Sequence, residues 1–531
     1  MRKRQFIITG LCNPSYDYMV NIDDKVDAVM EMVDSGQYFT VNRPRQYGKT
    51  TLLNTLSNRI SNIYICIFIS LEGIGDESFK DEKSFCLAFI HLIHKALKNS
   101  PAGYDISYIN AWNDKHTVNF LLLGNHITKM CSGKKVVLII DEVDKTSDNR
   151  IFIHFLGLLR DKFLFQKDGI DNTFHSVILA GVYDIRNIKL KLIGEGVSQS
   201  TAQYGRLLNS PWNIAVPFTL DMSFNANDIA GMLYEYESDR ATGMDVVEVA
   251  ECIYEYTGGY PFLVSQLCRM LDIETALNKD WSPRGVRQAV KMLVNQNPLN
   301  TLFDDISKNL ETYCDLYRFI YAILITGQQK SFTVSNPVIQ MADMFGIIKN
   351  RDGVAIISNR IFEIFITDYF ISKDSLSEKS NRLVGYKNDI VNAAGRFDME
   401  LCLKKFAALF RELFTDKDKP FVEEHGRMLF LTYLMPLING GGFYHIESRL
   451  SDQRRMDLVV DFGADQFIIE LKLWYGESSH EKAYAQLAEY LKVKGVNVGY
   501  LLTFDFRKDK SRAPKAEWVE WGGSRIFDVI V

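Results

Sequence analysis

Between residue 1 and about residue 220, short apolar runs alternate with stretches of helical character. Tyr38–Val41, Tyr64–Ser70, Val136–Ile140, Val177–Val182 and Trp212–Val216 read as strands, being short, apolar and rich in β-branched or aromatic residues. Thr50–Ile60 and Ser84–Asn99 read as helices between them. Alternation of this kind predicts an α/β fold, with a parallel sheet covered on both faces and a ligand site at the carboxyl ends of its strands.

Beyond this region the pattern changes. Over about 221–300 it is helical: Asn225 to Asp228 offer N-caps for a helix over Ile229–Tyr236, Gly258 and Gly259 close another, and Pro261 opens a third. Over about 301–373, two short strands around Asn350 to Gly353, flanked by helical patterns, look like a small winged helix. A polar stretch over 374–396 reads as a linker, and a further domain is expected over 397–531. There Arg454–Gly463 and Gln466–Trp474 both alternate with period two around a turn containing Gly463, which predicts a hairpin.

Two places combine these elements with chemistry. The first is Gly48-Lys49-Thr50, where the Tyr38–Val41 strand gives way to a helix. A loop closing on a helix start presents free N–H groups and the positive end of the helix dipole, both of which favour phosphate. Lys49 is expected to reach the β- and γ-phosphates, Thr50 to offer its hydroxyl to Mg²⁺, and Gly48 to let the backbone come close. The rest of the candidate phosphate site is Arg45, Gln46, Tyr47 and Thr51. The match to G-x-x-x-x-G-K-[ST] is incomplete, since Arg43 stands where the first glycine belongs and Pro44 follows it. The strand Val136–Ile140 then runs into Asp141 and Glu142, the Walker B pattern. Asp141 is placed to hold Mg²⁺, mainly through water, and Glu142 to polarise the attacking water.

The second place is the C-terminal hairpin. Glu470 and Lys472 are two apart and share one face of their strand, while Ile469, Leu471 and Leu473 take the other. Asp457 belongs to the partner strand. An Asp and a Glu converging from adjacent strands can hold a hard divalent cation, and a neighbouring lysine can orient water for attack on a phosphodiester.

Composition narrows the setting. The 531 residues are 47% hydrophobic, enough for several cored domains, and the net charge of −5 with a pI near 6.1 argues against a histone-like polycation. The eight cysteines lack C-x-x-C spacing and read as reduced core residues. Nine histidines show no paired ligand spacing, so zinc is not expected. No apolar stretch is long enough to span a bilayer as a helix and no signal peptide is visible, so a cytoplasmic protein without membrane contact is expected. Three arginines within Ser448–Arg455 read equally as phosphate contacts or as a solvated loop.

Pro44 to Thr50, Asp141-Glu142, Gly258 to Pro261 and Ile357 to Ile361 together resemble the AAA-like and STAND-type P-loop ATPases. That resemblance implies a P-loop ATPase core over 1–220, a helical lid over 221–300 and a winged helix over 301–373, with ATP and Mg²⁺ as cofactors. Many such ATPases form rings with an arginine supplied by a neighbour, which leaves a homo-oligomer open here; of the candidates Arg150, Arg160 and Arg206 none is assignable as the finger. The set Asp457, Glu470 and Lys472 resembles the PD-(D/E)XK nuclease superfamily from about residue 397 to 531. By that resemblance Glu424, on an upstream helix, joins Asp457 and Glu470 as a metal ligand. Gln486, on a later helix one turn from Tyr490, joins Lys472 at the catalytic centre, and nucleic acid is the partner. The alternatives left open are a nucleotide-dependent switch whose C-terminal domain binds without cutting, and a protein remodeller.

Overall fold

The computed structural model describes residues 3–98, 119–143, 150–182, 212–274, 277–296, 301–325, 328–375, 390–392, 395–413, 423–438, 442–445, 458–463, 465–505 and 515–531. They form two compact units, residues 1–290 with 333–349, and residues 291–332 with 350–531.

The first unit is built on β1 (Tyr38–Asn42), β2 (Ile65–Ser70), β3 (Val136–Asp141) and β4 (Ser176–Gly181), in the order β1-β4-β3-β2 and all parallel. The period-two geometry of a strand sorts β3 between two cores. Val136, Leu138 and Ile140 pack with Phe85, Phe89, Phe152 and Phe155 from the helices Glu82–Lys98 and Arg150–Lys167. Val137 and Ile139 pack with Leu52, Leu53 and Leu56 of the helix Lys49–Ile60 and with Val26 and Val29 of the helix Asp23–Asp34. Burial on both faces is why these strands are continuously apolar.

Trp212–Val216 is not a fifth strand. Trp212, Asn213 and Ile214 form a turn, and only Val216 reaches the sheet, donating its N–H to Tyr38 O at 2.8 Å. The next residue is Pro217, which has no N–H to continue a ladder, while the apolar character belongs to Trp212, buried against Tyr38 with ring centroids 5.8 Å apart.

Three helices follow, Ala226–Arg240, Val246–Thr257 and Pro261–Ile273. The first begins with a capping box between Asn225 and Asp228. Gly258 ends the second at φ 55°. Gly259, at φ 75°, accepts a backbone bond from Phe224 N–H at 2.9 Å and lies so close that a Cβ would meet Phe224 O at 1.8 Å. Segment 333–349 carries the helix Pro337–Met344, capped by Asn336.

In the second unit the helices Thr301–Thr312 and Cys314–Leu324 precede β5 (Lys330–Ser331), which pairs antiparallel with β7 (Val354–Ile357). The turn before β7 places Asp352 and Gly353 at positive φ, after β6 (Ile348–Arg351) at the boundary of the units. The remaining strands are β8 (Gly442–His445), β9 (Leu458–Phe462), β10 (Asp465–Leu473), β11 (Val498–Phe504), β12 (Lys515–Trp521) and β13 (Ser524–Ile530). They form one mixed sheet, ordered β12-β13-β11-β10-β9-β8, in which β10, β11 and β13 run parallel. Phe504 on one face meets Phe406 and Phe410 of the helix Met399–Leu413 and Gly426 of the helix Glu423–Ile438. Ile468, Leu501 and Ile526 on the other face meet Ala483, Tyr484 and Leu487 of the helix Glu477–Lys494.

One buried acid gives this unit a pH dependence. Burial pushes the carboxyl of Asp368, on the helix Arg360–Ser375, up to about 7, although its Oδ1 accepts from the Tyr444 hydroxyl at 2.9 Å and this bond opposes the rise. The folded chain therefore keeps a proton that the unfolded chain releases near pH 4. The associated stability is fully present below that pH and is lost as pH rises through about 7. The loss is on the order of 1 kcal/mol per pH unit across that window. In denaturant melts between pH 4 and 7, Asp368→Asn should flatten the slope; an unchanged slope would assign it to other groups.

Candidate functional site

At the carboxyl ends of β1 and β3 the candidate phosphate-site residues converge. Gly48, at φ 81°, is the N-cap of Lys49–Ile60 and supplies no side chain to satisfy the helix N–H groups, which leaves them for a phosphate. A Cβ at Gly48 would meet nothing within 4 Å, so the loop mouth is open there. The Lys49 ammonium is buried and donates to Arg43 O and Pro44 O, each at 2.9 Å, which draws the loop into a ring around its own cation. Thr50 Oγ1 donates to Asp141 Oδ2 at 2.8 Å, joining the loop to the end of β3. Asp141 Oδ1 accepts from Glu142 N at 2.9 Å.

Two residues of the site carry backbone strain. Gln46 and Glu142 both have φ 56°, a conformation that costs an L-residue on the order of 1–2 kcal/mol and that clusters at functional sites. At Glu142 it turns the chain immediately after the buried Asp141. Arg45 and Gln46 are exposed, while Tyr47 and Thr51 are half-buried.

Arg43, where the first glycine of the motif is absent, is held by groups outside the loop. Its guanidinium donates to Asn42 O at 2.8 Å and to Leu220 O, and it lies 5.1 Å over the Phe218 ring. Pro44 packs against Gly346, where a Cβ would come within 2.5 Å of Pro44 Cγ. Tyr260 donates its hydroxyl to Arg45 O at 2.5 Å and meets the Tyr47 ring edge-on at 4.7 Å. Apart from Asn42, these partners lie between 175 (Arg43 to Phe218) and 302 (Pro44 to Gly346) residues away along the chain and have no local signal. Of the candidate fingers, Arg150 and Arg160 lie on the helix Arg150–Lys167, and Arg206 falls outside the described residues.

In the second unit Glu470 and Lys472 do share a face, and Lys472 Nζ lies 2.8 Å from Glu470 Oε1. Glu470 is 0% exposed, so its charge depends on such neighbours. The face is the one covered by Glu477–Lys494, on which Gln486 is half-buried and Tyr490 buried. Asp457 falls outside the described residues. The helix carrying Glu424 packs on the opposite face through Gly426, and the Glu424 side chain also lies outside the described residues. Among the described residues no three His, Cys, Asp or Glu side chains gather as a metal site.

The sequence reading missed a neighbouring polar group on this face. Register places Glu470, Leu501 and Asp528 in one row across β10, β11 and β13. Fully buried Asp528 accepts from Tyr484 at 2.6 Å and lies 2.9 Å from His480 Nε2, while Thr503 Oγ1 is 3.4 Å from His480 Nδ1. Burial, with the Asp528 bond second, holds the Tyr484 phenol far above its usual range. The available signal was a lone acid in the otherwise apolar run Ile526 to Ile530.

A parallel sheet with a strand–loop–helix phosphate site and an acid at the end of a neighbouring strand defines the P-loop ATPase class. The chain belongs to the AAA-like domain family, which matches residues 13–368. Residues 443–513 match the PD-(D/E)XK nuclease superfamily, so an ATPase-like domain is joined to a nuclease-like domain in one chain. Among solved structures, a Walker-type ATPase of Pyrococcus abyssi is 12% identical, with 68% of this chain and 99% of that one covered and a TM-score of 0.45. The ORC2 protein of Aeropyrum pernix, in ADPNP and ADP complexes, is 14% identical, with 68% and 96% covered and a TM-score of 0.36. The Cdc6p protein of Pyrobaculum aerophilum is 15% identical, with 69% and 98% covered and a TM-score of 0.29. No curated protein matches the chain. Among the described residues no helix is long and apolar enough to cross a membrane.

Proposed function

We propose that the protein hydrolyses ATP at the loop formed by residues 43–50 and cleaves nucleic acid, with a divalent metal, at the face carrying Glu470 and Lys472. The observation that carries the reading is the meeting of Lys49, Thr50 and Asp141, which brings a cation, a hydroxyl and a carboxylate to a helix N-terminus. Magnesium-bound ATP supplies the phosphoryl group and the metal charge that offsets charge developing in its transfer. Lys49 binds the terminal phosphates, Thr50 and Asp141 hold the metal, and Glu142 orients the attacking water. Tyr260 on Arg45 and Gly346 on Pro44 let the helical segment and segment 333–349 respond to the loop.

At the second site a buried carboxylate beside a lysine suits a hard cation. Glu470, with Asp457, would hold it, while Lys472 positions the water and Gln486 steadies the phosphodiester; Glu424, whose helix packs on the opposite face, is not assigned to the metal. A cytoplasmic setting, a winged-helix role for residues 301–373 and homo-oligomerisation belong to the same proposal.

ATP turnover tests the first half. Glu142→Gln should bind ATP as the parent does yet hydrolyse it about 100-fold or more slowly, since only water polarisation is lost. Turnover at the parental rate would remove Glu142 from the mechanism.

A further inference from the structure

We infer that residues 3–20 are a strap that holds the helical segment 226–273 against the phosphate loop and thereby sets how fast nucleotide leaves. The inference rests on the ATP-site reading above for its release step, but on its own contacts for the strap. Arg4 is fixed on the outer turn of Ala226–Arg240: its Nη1 lies 2.5 Å from Glu235 Oε2, and its Nε donates to Asp239 Oδ2 at 2.9 Å. Tyr18 donates to the same Asp239 oxygen at 3.0 Å, and Arg4 lies 4.9 Å over the Tyr18 ring. The strap backbone is held too, by Arg240 on Arg4 O at 2.9 Å and Arg269 on Phe6 O at 3.3 Å. Phe6, only 1% exposed, fills a pocket between Tyr18, Tyr236 and Trp281, with ring centroids 4.9, 5.1 and 6.0 Å away.

The other end of the strap belongs to the sheet. After Val20 the chain enters Asp23–Asp34, which packs on the phosphate-loop helix through Val26, Val29 and Leu53. Lys25 donates to Ser223 O at 2.9 Å, immediately before the helical segment begins. The segment is thus held twice, through Tyr260 on the loop and through Arg4 and Phe6 on its far helix. Any swing that lifts Tyr260 from Arg45 must either break the Arg4 and Phe6 contacts or drag the strap with it. A swing that frees nucleotide is therefore opposed by buried aromatic area and by a two-carboxylate clamp.

The test uses full-length protein and a fluorescent ATP analogue. Arg4→Glu, which sets a third carboxylate against Glu235 and Asp239, should speed analogue dissociation about fivefold or more, the equivalent of about 1 kcal/mol. It should also raise amide exchange across Ala226–Arg240. Adding Glu235→Arg should restore much of both effects, which separates a specific clamp from general misfolding. Dissociation within twofold of the parent, or faster dissociation without increased exchange, overturns the strap. A parent that binds no analogue overturns the ATP-site reading instead, and the release step with it. Exchange in Arg4→Glu then still decides whether the strap holds the segment.

Discussion

Lys49→Ala should weaken binding of a fluorescent ATP analogue by about 100-fold or more, with the fold retained. Two losses combine. Phosphate would lose a cation whose charge-assisted bonds are each worth about 1.5–3 kcal/mol. The loop would also lose the ammonium that joins Arg43 O to Pro44 O, and with it the shape that presents the helix N–H groups. Lys49→Arg should recover little, because a planar fork cannot take the place of a compact ammonium enclosed by two carbonyls. Titration measures the change, and parental affinity in Lys49→Ala would defeat the phosphate-loop assignment.

Lys472→Ala should abolish detectable cleavage while leaving Mn²⁺ affinity within a few-fold of the parent. The lysine is not a proposed ligand, and the carboxylates remain. Asp457→Asn should instead lower metal affinity strongly, because it removes a ligand charge. With Glu470 fully buried beside it, loss of the Lys472 cation also leaves a carboxylate short of one neighbour, so Lys472→Ala should be less stable without metal and regain stability with it. Calorimetry on the full-length variants separates these outcomes. Equal metal affinity in all three proteins would reduce Glu470 and Lys472 to a structural ion pair.

What could be read in the sequence follows from the range of the forces involved. β1 to β4 were legible because strands buried on both faces must be continuously apolar, and Asp141 because an acid ending such a strand breaks the pattern. The hairpin of β9 and β10 was legible by alternation, and so was the shared face of Glu470 and Lys472. Trp212–Val216 misled because an apolar run packing into the core has the composition of a strand, and only Pro217 marked its failure to pair. Arg43 looked like a defect in the phosphate motif until Phe218 and Leu220 accounted for its side chain. The contacts of Tyr260 and Gly346 with the loop, and the meeting of His480 with Asp528, stayed hidden because tertiary packing alone makes them and no periodicity encodes that; Asp528 itself left the signal of a lone acid in an apolar run.

The central claim, that one chain carries an ATPase site and a separate nucleic-acid-cleaving site, is tested most directly by following ATP hydrolysis and nucleic-acid cleavage together in the parent and in Lys472→Ala, with Mg²⁺ or Mn²⁺ and plasmid and single-stranded DNA and RNA as substrates. The account predicts metal-dependent cleavage by the parent, and its loss in Lys472→Ala with ATP turnover preserved. Cleavage that persists in Lys472→Ala, or a parent that hydrolyses ATP and cuts none of these substrates, would contradict it and leave the C-terminal domain a binding module.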